Sequence, residues 1–92
     1  AISGGHTVHV GNETSYLAVY APPKETHPPT GSSYSTLGGL NHVGIVVTDI
    51  KATEARIAQA GYKPHNHADY EPGRRFYFDT NDGIEIEVVS YE

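Results

Sequence analysis

The eight residues Leu40-Asn41-His42-Val43-Gly44-Ile45-Val46-Val47 decide how the rest of the chain is interpreted. The stretch is short, apolar and rich in β-branched residues, which is typical of a buried strand. His42 brings an imidazole into the start of that strand. A histidine in such a place can be a metal ligand, a base or a hydrogen-bonded core residue, and the stretch alone leaves these three readings open.

The residues after this strand predict a helix. Thr48 or Asp49 can cap its N terminus, and Gly61 can end it in the left-handed conformation. Between these signals Ile50 and Ile57 fall on one face at helical spacing. We expect the helix to cover one side of the strand, which carries the side chains of Val43, Ile45 and Val47.

Three more strands are predicted after the helix. Residues 62–70 read as a weak strand with a polar tip, and residues 74–78 as a strong one. Asp82-Gly83 is a hairpin turn, and residues 84–89 alternate strictly between apolar and polar side chains. The predicted order of elements is therefore β-α-β-β-β.

The chain before this module is predicted to form a hairpin and a linker. Residues 1–20 contain two strand-like runs, 7–10 and 16–20, separated by turn formers, and predict a β-hairpin. Residues 21–38 are rich in Pro, Gly and Ser and have no apolar period, which indicates a linker. Residues 39–92 form the module itself, so the predicted fold class is α+β.

The composition limits the class of protein. With 92 residues the chain is at most one small domain, and such a domain buries only about 60–65% of its unfolded surface. Hydrophobic residues make up 37% of the sequence, a low fraction that suggests a second surface helps to complete the core. The net charge of −5, with scattered Lys and Arg, argues against a nucleic-acid partner.

Two further classes of structure are excluded by what the sequence lacks. There is no cysteine, so neither a disulfide framework nor a thiolate metal site can form. No apolar run reaches the roughly 18 residues that a membrane-spanning helix needs, and no secretory signal is visible. We therefore expect a cytoplasmic protein with no membrane partner.

The alternation of the last strand places two carboxylates on one face. Ile84, Ile86 and Val88 would face the helix, whereas Glu85 and Glu87 would face away from it. If the His42 strand is a neighbour, an imidazole and a carboxylate converge on the helix-free face. Two or three nitrogen and oxygen ligands of this kind suit Zn²⁺, Fe²⁺, Mn²⁺ or Ni²⁺.

The sequence resembles the vicinal oxygen chelate superfamily in three motifs. They are the histidine strand of residues 42–47, the helix capped by an aspartate, and the run of residues 78–88, in which an aromatic residue, a turn and a glutamate follow one another. That group contains glyoxalase I, bleomycin-resistance proteins, fosfomycin-resistance enzymes and extradiol dioxygenases. The resemblance covers residues 40–91 well, and the first twenty residues loosely. It implies that two β-α-β-β-β modules pair so that eight strands enclose one cavity.

The resemblance also implies roles for individual residues. His42 and Glu87 match metal-ligand positions in the first and last strands of a module, and Glu87 can exchange between ligand and base. Tyr77 matches a cavity tyrosine ten residues before the ligand glutamate, and Arg75 would share its face and contact substrate. The implied chemistry is chelation of a substrate through two adjacent oxygens, with the metal as a Lewis acid.

The sequence departs from the family plan at its N terminus. The opening strand and helix of a first module are absent, so the hairpin reads as the remnant of an incomplete preceding module. Ala18, at the matching position in that module, cannot ligate a metal. A third ligand would then come from a missing segment or from a second copy of the chain, and we expect a homodimer.

For other polar residues the sequence gives a weaker indication of a functional role. His65 and His67, two apart, would share a strand face and could chelate a metal, although a polar hairpin tip explains them as well. His6 and His9 allow the same two readings. Glu85 is interpreted as a solvated or cavity-rim residue.

The sequence is compatible with three functions. The leading hypothesis is a divalent-metal-dependent lyase, isomerase or dioxygenase that acts on a small oxygen-rich substrate. The alternative is a metal-free small-molecule binding or resistance protein of the bleomycin-resistance type. The third is a subunit whose open sheet pairs with a partner protein and does no chemistry.

Overall fold

A computed structural model describes residues 4–28, 30–70 and 73–92 of the chain. The chain divides into two compact units, Ala1–Thr30 and Gly31–Glu92. The first unit contains strands β1 (His6–Gly11) and β2 (Tyr16–Ala21).

The first unit is a β-hairpin, as the sequence predicts. Strands β1 and β2 pair antiparallel from His6 opposite Ala21 to Gly11 opposite Tyr16. The side chain of Asn12 closes the turn, because its Oδ1 accepts a hydrogen bond from the backbone N–H of Ser15 at 2.9 Å. Every residue of the two strands is exposed within this chain.

The second unit is the predicted β-α-β-β-β module. It consists of β3 (His42–Val46), α1 (Ile50–Gln59), β4 (His65–Tyr70), β5 (Gly73–Asp79) and β6 (Glu85–Ser90). The four strands form one sheet in the order β3-β6-β5-β4. Strand β6 pairs parallel with β3 and antiparallel with β5, so the first and last strands of the module are neighbours.

Both ends of α1 use the residues that the sequence indicates. Of the two predicted caps it is Asp49 that acts, accepting a hydrogen bond from the backbone N–H of Ala52 at 3.0 Å. Gly61 has a φ of +99° directly after the C-cap residue Ala60. Its N–H donates to the carbonyl of Ala58, which satisfies a helix-end acceptor that would otherwise lack a partner.

The core of this unit lies between α1 and one face of the sheet. Its buried members are Ile50, Phe76, Ile86 and Val88, and the partly buried residues packed on them are Val43, Val47, Ile57 and Phe78. The predicted inward orientation of Val43 and Val47 is therefore confirmed. Ile45, expected to be covered as well, is 43% exposed because β3 is an edge strand with a neighbour on one side.

Two strand predictions need correction. Ile84 lies in the turn before β6 and is exposed, since its carbonyl accepts from Thr80 and closes the hairpin. His65 and His67 do not share a face. Asn66 between them has a φ of +55° and sits where the pairing of β4 with β5 shifts register, so an extra residue turns the two histidines to opposite sides.

Among the described residues, none of the helical segments has the length and apolar character that a membrane-spanning helix requires.

Candidate functional site

The face of the sheet opposite α1, called the open face below, collects the polar side chains of the module. The register places Glu85 beside His42 and Glu87 beside Gly44 on the β3–β6 side. On the other side of β6, Tyr77 lies opposite Glu87. The polar side chains of the open face include His42, His65, Arg75, Tyr77, Asp79, Glu85 and Glu87.

His42 and Glu87, the two predicted metal ligands, face each other. The Nε2 atom of His42 lies 3.3 Å from Oε1 of Glu87. The other ring nitrogen, Nδ1, lies 2.6 Å from the amide oxygen of Asn41. An amide oxygen only accepts hydrogen bonds, so Nδ1 donates in this contact and Nε2 is the ring nitrogen directed at Glu87.

Gly44 provides the space in which this contact occurs. It is the cross-strand neighbour of Glu87, and a Cβ atom at this position would lie 3.6 Å from Glu87 Oε1. Because glycine has no side chain, the imidazole of His42 can lean along β3 towards the carboxylate. A larger residue than alanine at position 44 would fill this space.

The second oxygen of Glu87 is held by two neighbours on β5. The Nη1 of Arg75 donates to Oε2 at 2.8 Å, and the Tyr77 hydroxyl donates to the same atom at 3.3 Å. Burial, together with the charge of Glu87, raises the pKa of Tyr77 above its usual value. Burial alone would lower the pKa of Arg75, but the hydrogen bond to Glu87 and the charges of Tyr70, Glu87 and Tyr77 together raise it above its usual value.

Tyr77 also connects the two histidines of the open face. Its ring meets the ring of His42 edge-on at a centroid distance of 6.0 Å and stacks on that of His65 at 6.5 Å. The Nε2 of His65 is 3.5 Å from Oδ2 of Asp79, although it makes no hydrogen bond. The spacing in the sequence predicted that His65 shares a face with His67, but His65 lies beside Tyr77 instead.

Tyr34, for which the sequence predicted no role, also reaches the open face. It belongs to the segment read as a linker, and its hydroxyl donates to Oε1 of Glu85 at 2.8 Å. That hydrogen bond, with desolvation and the negative charge of Glu85, raises the pKa of Tyr34. A lone tyrosine among Ser and Gly was the available signal, but the contact spans 51 positions along the chain.

The remaining histidine candidates lie elsewhere. His67 is on the helix side, where its Nε2 is 2.7 Å from Oε2 of Glu54 and its ring stacks on Phe76. His9 stacks on Tyr16 in the hairpin, where Ala18 is its cross-strand partner.

A cavity of about 300 Å³ also lies on the helix side of the sheet. Residues of α1, β4 and β5 line it, among them Glu54, His67 and Phe76. Neither His42 nor Glu87 borders this volume, so it is separate from the predicted ligand pair.

The His42–Glu87 pair fits two ligands of one divalent cation. Ligand nitrogens and oxygens lie about 2.0–2.2 Å from such a metal, so neighbouring ligands are roughly 3.0–3.5 Å apart. The observed separation of 3.3 Å falls within this range. Arg75 and Asn41 orient the two ligands from behind, as outer partners do at metal sites. The set is incomplete, since no group of three His, Cys, Asp or Glu in the described residues is arranged to hold a metal.

The fold and the open face together define a β-α-β-β-β module whose first and last strands bring His42 and Glu87 together. The sequence model of the Glyoxalase/Bleomycin resistance protein/Dioxygenase superfamily matches residues 2–88. The chain therefore belongs to this superfamily, as the resemblance to the vicinal oxygen chelate group predicted. A comparison with curated proteins found no match.

Proposed function

We propose that this chain forms the active face of a divalent-metal-dependent lyase, isomerase or dioxygenase that acts on a small oxygen-rich molecule. The observation that carries the proposal is the 3.3 Å approach of His42 Nε2 to Glu87 Oε1. An imidazole nitrogen and a carboxylate oxygen approach this closely when a cation or a proton lies between them. Zn²⁺, Fe²⁺, Mn²⁺ and Ni²⁺ all accept such ligands.

The residues around the pair have distinct tasks in this proposal. When bound, the metal would act as a Lewis acid that stabilises negative charge on a substrate oxygen. Arg75 holds one oxygen of Glu87 and leaves the other directed at His42, so the carboxylate has one defined orientation. Tyr77 stands beside His42 with its hydroxyl at Glu87, where it can also contact substrate. Glu87 is the candidate base, because its carboxylate can accept a proton from a substrate held beside it.

The experiment is a metal titration of the wild-type chain and of His42→Ala. We expect the wild-type chain to bind Zn²⁺ or Co²⁺ and His42→Ala to bind at least about tenfold more weakly. His67→Ala is the matched control, since His67 also faces a glutamate but lies on the helix side. Equal metal affinity in wild type and His42→Ala would contradict the proposal.

A metal-free binding protein is the second candidate, and one observation favours it. Arg75 already neutralises Glu87 in a pair where both side chains are mostly buried. A carboxylate paired in this way attracts a cation less strongly. In this case purified protein would carry no stoichiometric metal, and the aromatic and polar side chains of the open face would hold a small molecule directly.

We also propose that the chain is a homodimer. Strand β3 is at the edge of its sheet, and three apolar residues in or just before it are exposed: Leu40, Ile45 and, at 65%, Val46. An exposed apolar edge strand favours pairing with another surface. Light scattering should give twice the chain mass, and Val46→Lys should shift the protein towards monomer. A monomer at all concentrations would contradict this. The cytoplasmic location stays a prediction.

A further inference from the structure

One row of cross-strand partners crosses the whole sheet. Glu87 on β6 is opposite both Gly44 on β3 and Tyr77 on β5. Tyr77 is in turn opposite His65 on β4. Neighbouring strands are about 4.8 Å apart, so roughly 10 Å separates the backbone of His65 from that of Glu87. The row therefore has a carboxylate near one end, beside His42, and a second imidazole at the other end, to which the proposed function gives no task.

The backbone departs from regular strand geometry at the place that directs His65 into this row. Asn66, the next residue, has a φ of +55°, and the pairing of β4 with β5 shifts register between His65 and Ala68. Residues other than glycine rarely adopt this conformation. Bulges of this kind are frequent beside active sites, where they redirect a side chain. Because of the bulge, His65 lies beside Tyr77 while His67 packs on the helix side.

The two nitrogens of the His65 ring have different surroundings. Nε2 is buried and makes no hydrogen bond, and Oδ2 of Asp79 lies 3.5 Å from it. Nδ1 also has no hydrogen-bond partner among the described residues, yet it is not one of the buried atoms, so it is accessible to solvent. The side chain as a whole is 33% exposed, and its ring stacks on Tyr77 with 20° between the planes. One nitrogen thus faces a carboxylate and the other is open to a bound molecule.

This arrangement suits an imidazole that takes a proton from a bound molecule. An ionised carboxylate only accepts hydrogen bonds, so Asp79 can pair with Nε2 only when that nitrogen carries a proton. Nδ1 of the neutral ring is then the acceptor, and it is also the accessible nitrogen. Catalytic hydrogen bonds are often long in a ligand-free protein and shorten when substrate binds, which agrees with the 3.5 Å separation.

We propose that His65 is a catalytic residue of this chain, a general base for a hydroxyl group of the substrate, and that Asp79 positions it. The O–H bond of the hydroxyl breaks, its proton passes to Nδ1, and the electron pair stays on the oxygen. The carboxylate of Asp79 stabilises the imidazolium that results. This inference rests on the proposed function only in placing the substrate on the open face. The substrate class is then a molecule that carries a hydroxyl at one end and metal-binding oxygens at the other.

Glu87, the other candidate base, serves the opposite end of such a molecule. Arg75 and Tyr77 hold one oxygen of its carboxylate. His42 faces the other oxygen, so both are engaged at the predicted metal pair. His65 lies outside that pair and keeps one nitrogen without a hydrogen-bond partner. A substrate that extends over Tyr77 would contact both ends of the row.

The test uses para-nitrophenol as a hydroxyl-bearing probe and the metal-free chain. The ionised form of this phenol is yellow, so its absorption reports transfer of the proton to the protein. We expect the wild-type chain to increase the ionised fraction of the probe just below neutral pH. His65→Gln should reduce this increase at least about tenfold, because glutamine forms hydrogen bonds but takes up no proton. Asp79→Asn should reduce it roughly fivefold, since the imidazolium loses its charged partner.

The matched control is His67→Gln, two positions along the same strand but on the helix side, and it should ionise the probe like the wild-type chain. Nitrogen NMR of the isotope-labelled chain gives a second readout that a purely structural role of Asp79 would not move. We expect the proton of the neutral His65 ring on Nε2, and Asp79→Asn should shift it partly to Nδ1. Thermal unfolding checks that each variant is folded.

Three results would overturn the inference. They are equal ionisation of the probe by His65→Gln and wild type, no ionisation by the wild-type chain, and a His65 proton on Nδ1 in the wild-type chain. If any of them occurs while His42→Ala loses metal affinity, the proposed function stands without His65 as a base. If instead His65→Gln fails to ionise the probe and His42→Ala binds metal normally, His65 is the base and the metal part of the proposed function fails.

Discussion

The Nη1 atom of Arg75 lies 2.8 Å from Oε2 of Glu87, and the two side chains are only 14% and 13% exposed. An ion pair at this depth is held in one geometry, because little water is available to replace either partner. Tyr70 supports the guanidinium from below, with its ring centroid 4.9 Å from Arg75 Cζ. The pair therefore determines where the remaining carboxylate oxygen of Glu87 points, which is towards His42.

Arg75→Met should destabilise the chain and disturb Glu87. Removing one partner of a largely buried pair leaves an uncompensated charge, and we expect a loss of about 2–3 kcal/mol in the free energy of unfolding. Urea denaturation measures this change in the free energy of unfolding. The double variant Arg75→Met/Glu87→Gln should recover much of the loss, since no unpaired charge remains. Arg56→Met, at an exposed position of α1, is the control and should change stability little. Equal stability of Arg75→Met and wild type would contradict the importance of the pair.

Tyr77→Phe should have a small effect and Tyr77→Ala a large one. The hydroxyl of Tyr77 is 3.3 Å from Glu87, a long hydrogen bond whose loss should cost under about 1 kcal/mol. The ring contacts both His42 and His65, so its removal leaves both imidazoles without support. Thermal unfolding without Zn²⁺ measures the effect of each variant on the stability of the fold, and unfolding with Zn²⁺ measures its effect on metal binding. If Tyr77→Phe lost more stability than Tyr77→Ala, the assignment of the main role to the ring would be wrong.

Phe76→Ala should be the most damaging core substitution. Phe76 is 1% exposed at the centre of the cluster beneath α1 and stacks on His67. Truncation of a buried phenylalanine costs about 3–5 kcal/mol, because a cavity remains in place of the ring. In a small domain such a loss should shift the thermal midpoint strongly or abolish folding. Phe76→Leu retains most of the volume and should remain folded, and the exposed Tyr91→Ala should resemble wild type.

Gly61→Ala should destabilise the end of α1. Gly61 has a φ of +99°, a conformation that residues with a Cβ atom rarely adopt. We expect a loss of about 1–2 kcal/mol in chemical denaturation. Gln59→Ala, two residues earlier and inside the helix, should be neutral or slightly stabilising because alanine favours helices. A neutral Gly61→Ala would mean that the chain can end this helix in another way.

Much of the fold followed from local patterns. The β-branched run around His42, the cap at Asp49, the glycine at position 61 and the alternation of β6 each depend on neighbouring residues. Backbone preference and solvent exposure act over a few positions, so such elements can be predicted from one sequence. The same alternation placed Glu87 on the face away from α1, where its contact with His42 is found.

Other features could not be predicted because they depend on residues that the fold brings together. The left-handed Asn66 adds one residue to β4 and separates His65 from His67, and no strand pattern reveals a bulge. The contact of Tyr34 with Glu85 joins segments distant in the chain.

The sequence by itself determined the order of the elements, the ends of the helix and the two faces of the last strand. These follow from the local periodicity of apolar residues and from the cap residues Asp49 and Gly61. Only the tertiary structure decided that Arg75 and Tyr77 take one oxygen of Glu87 and leave the other to His42. That choice depends on strand order and register. Both arise from packing the whole sheet against α1, not from any single stretch of the chain.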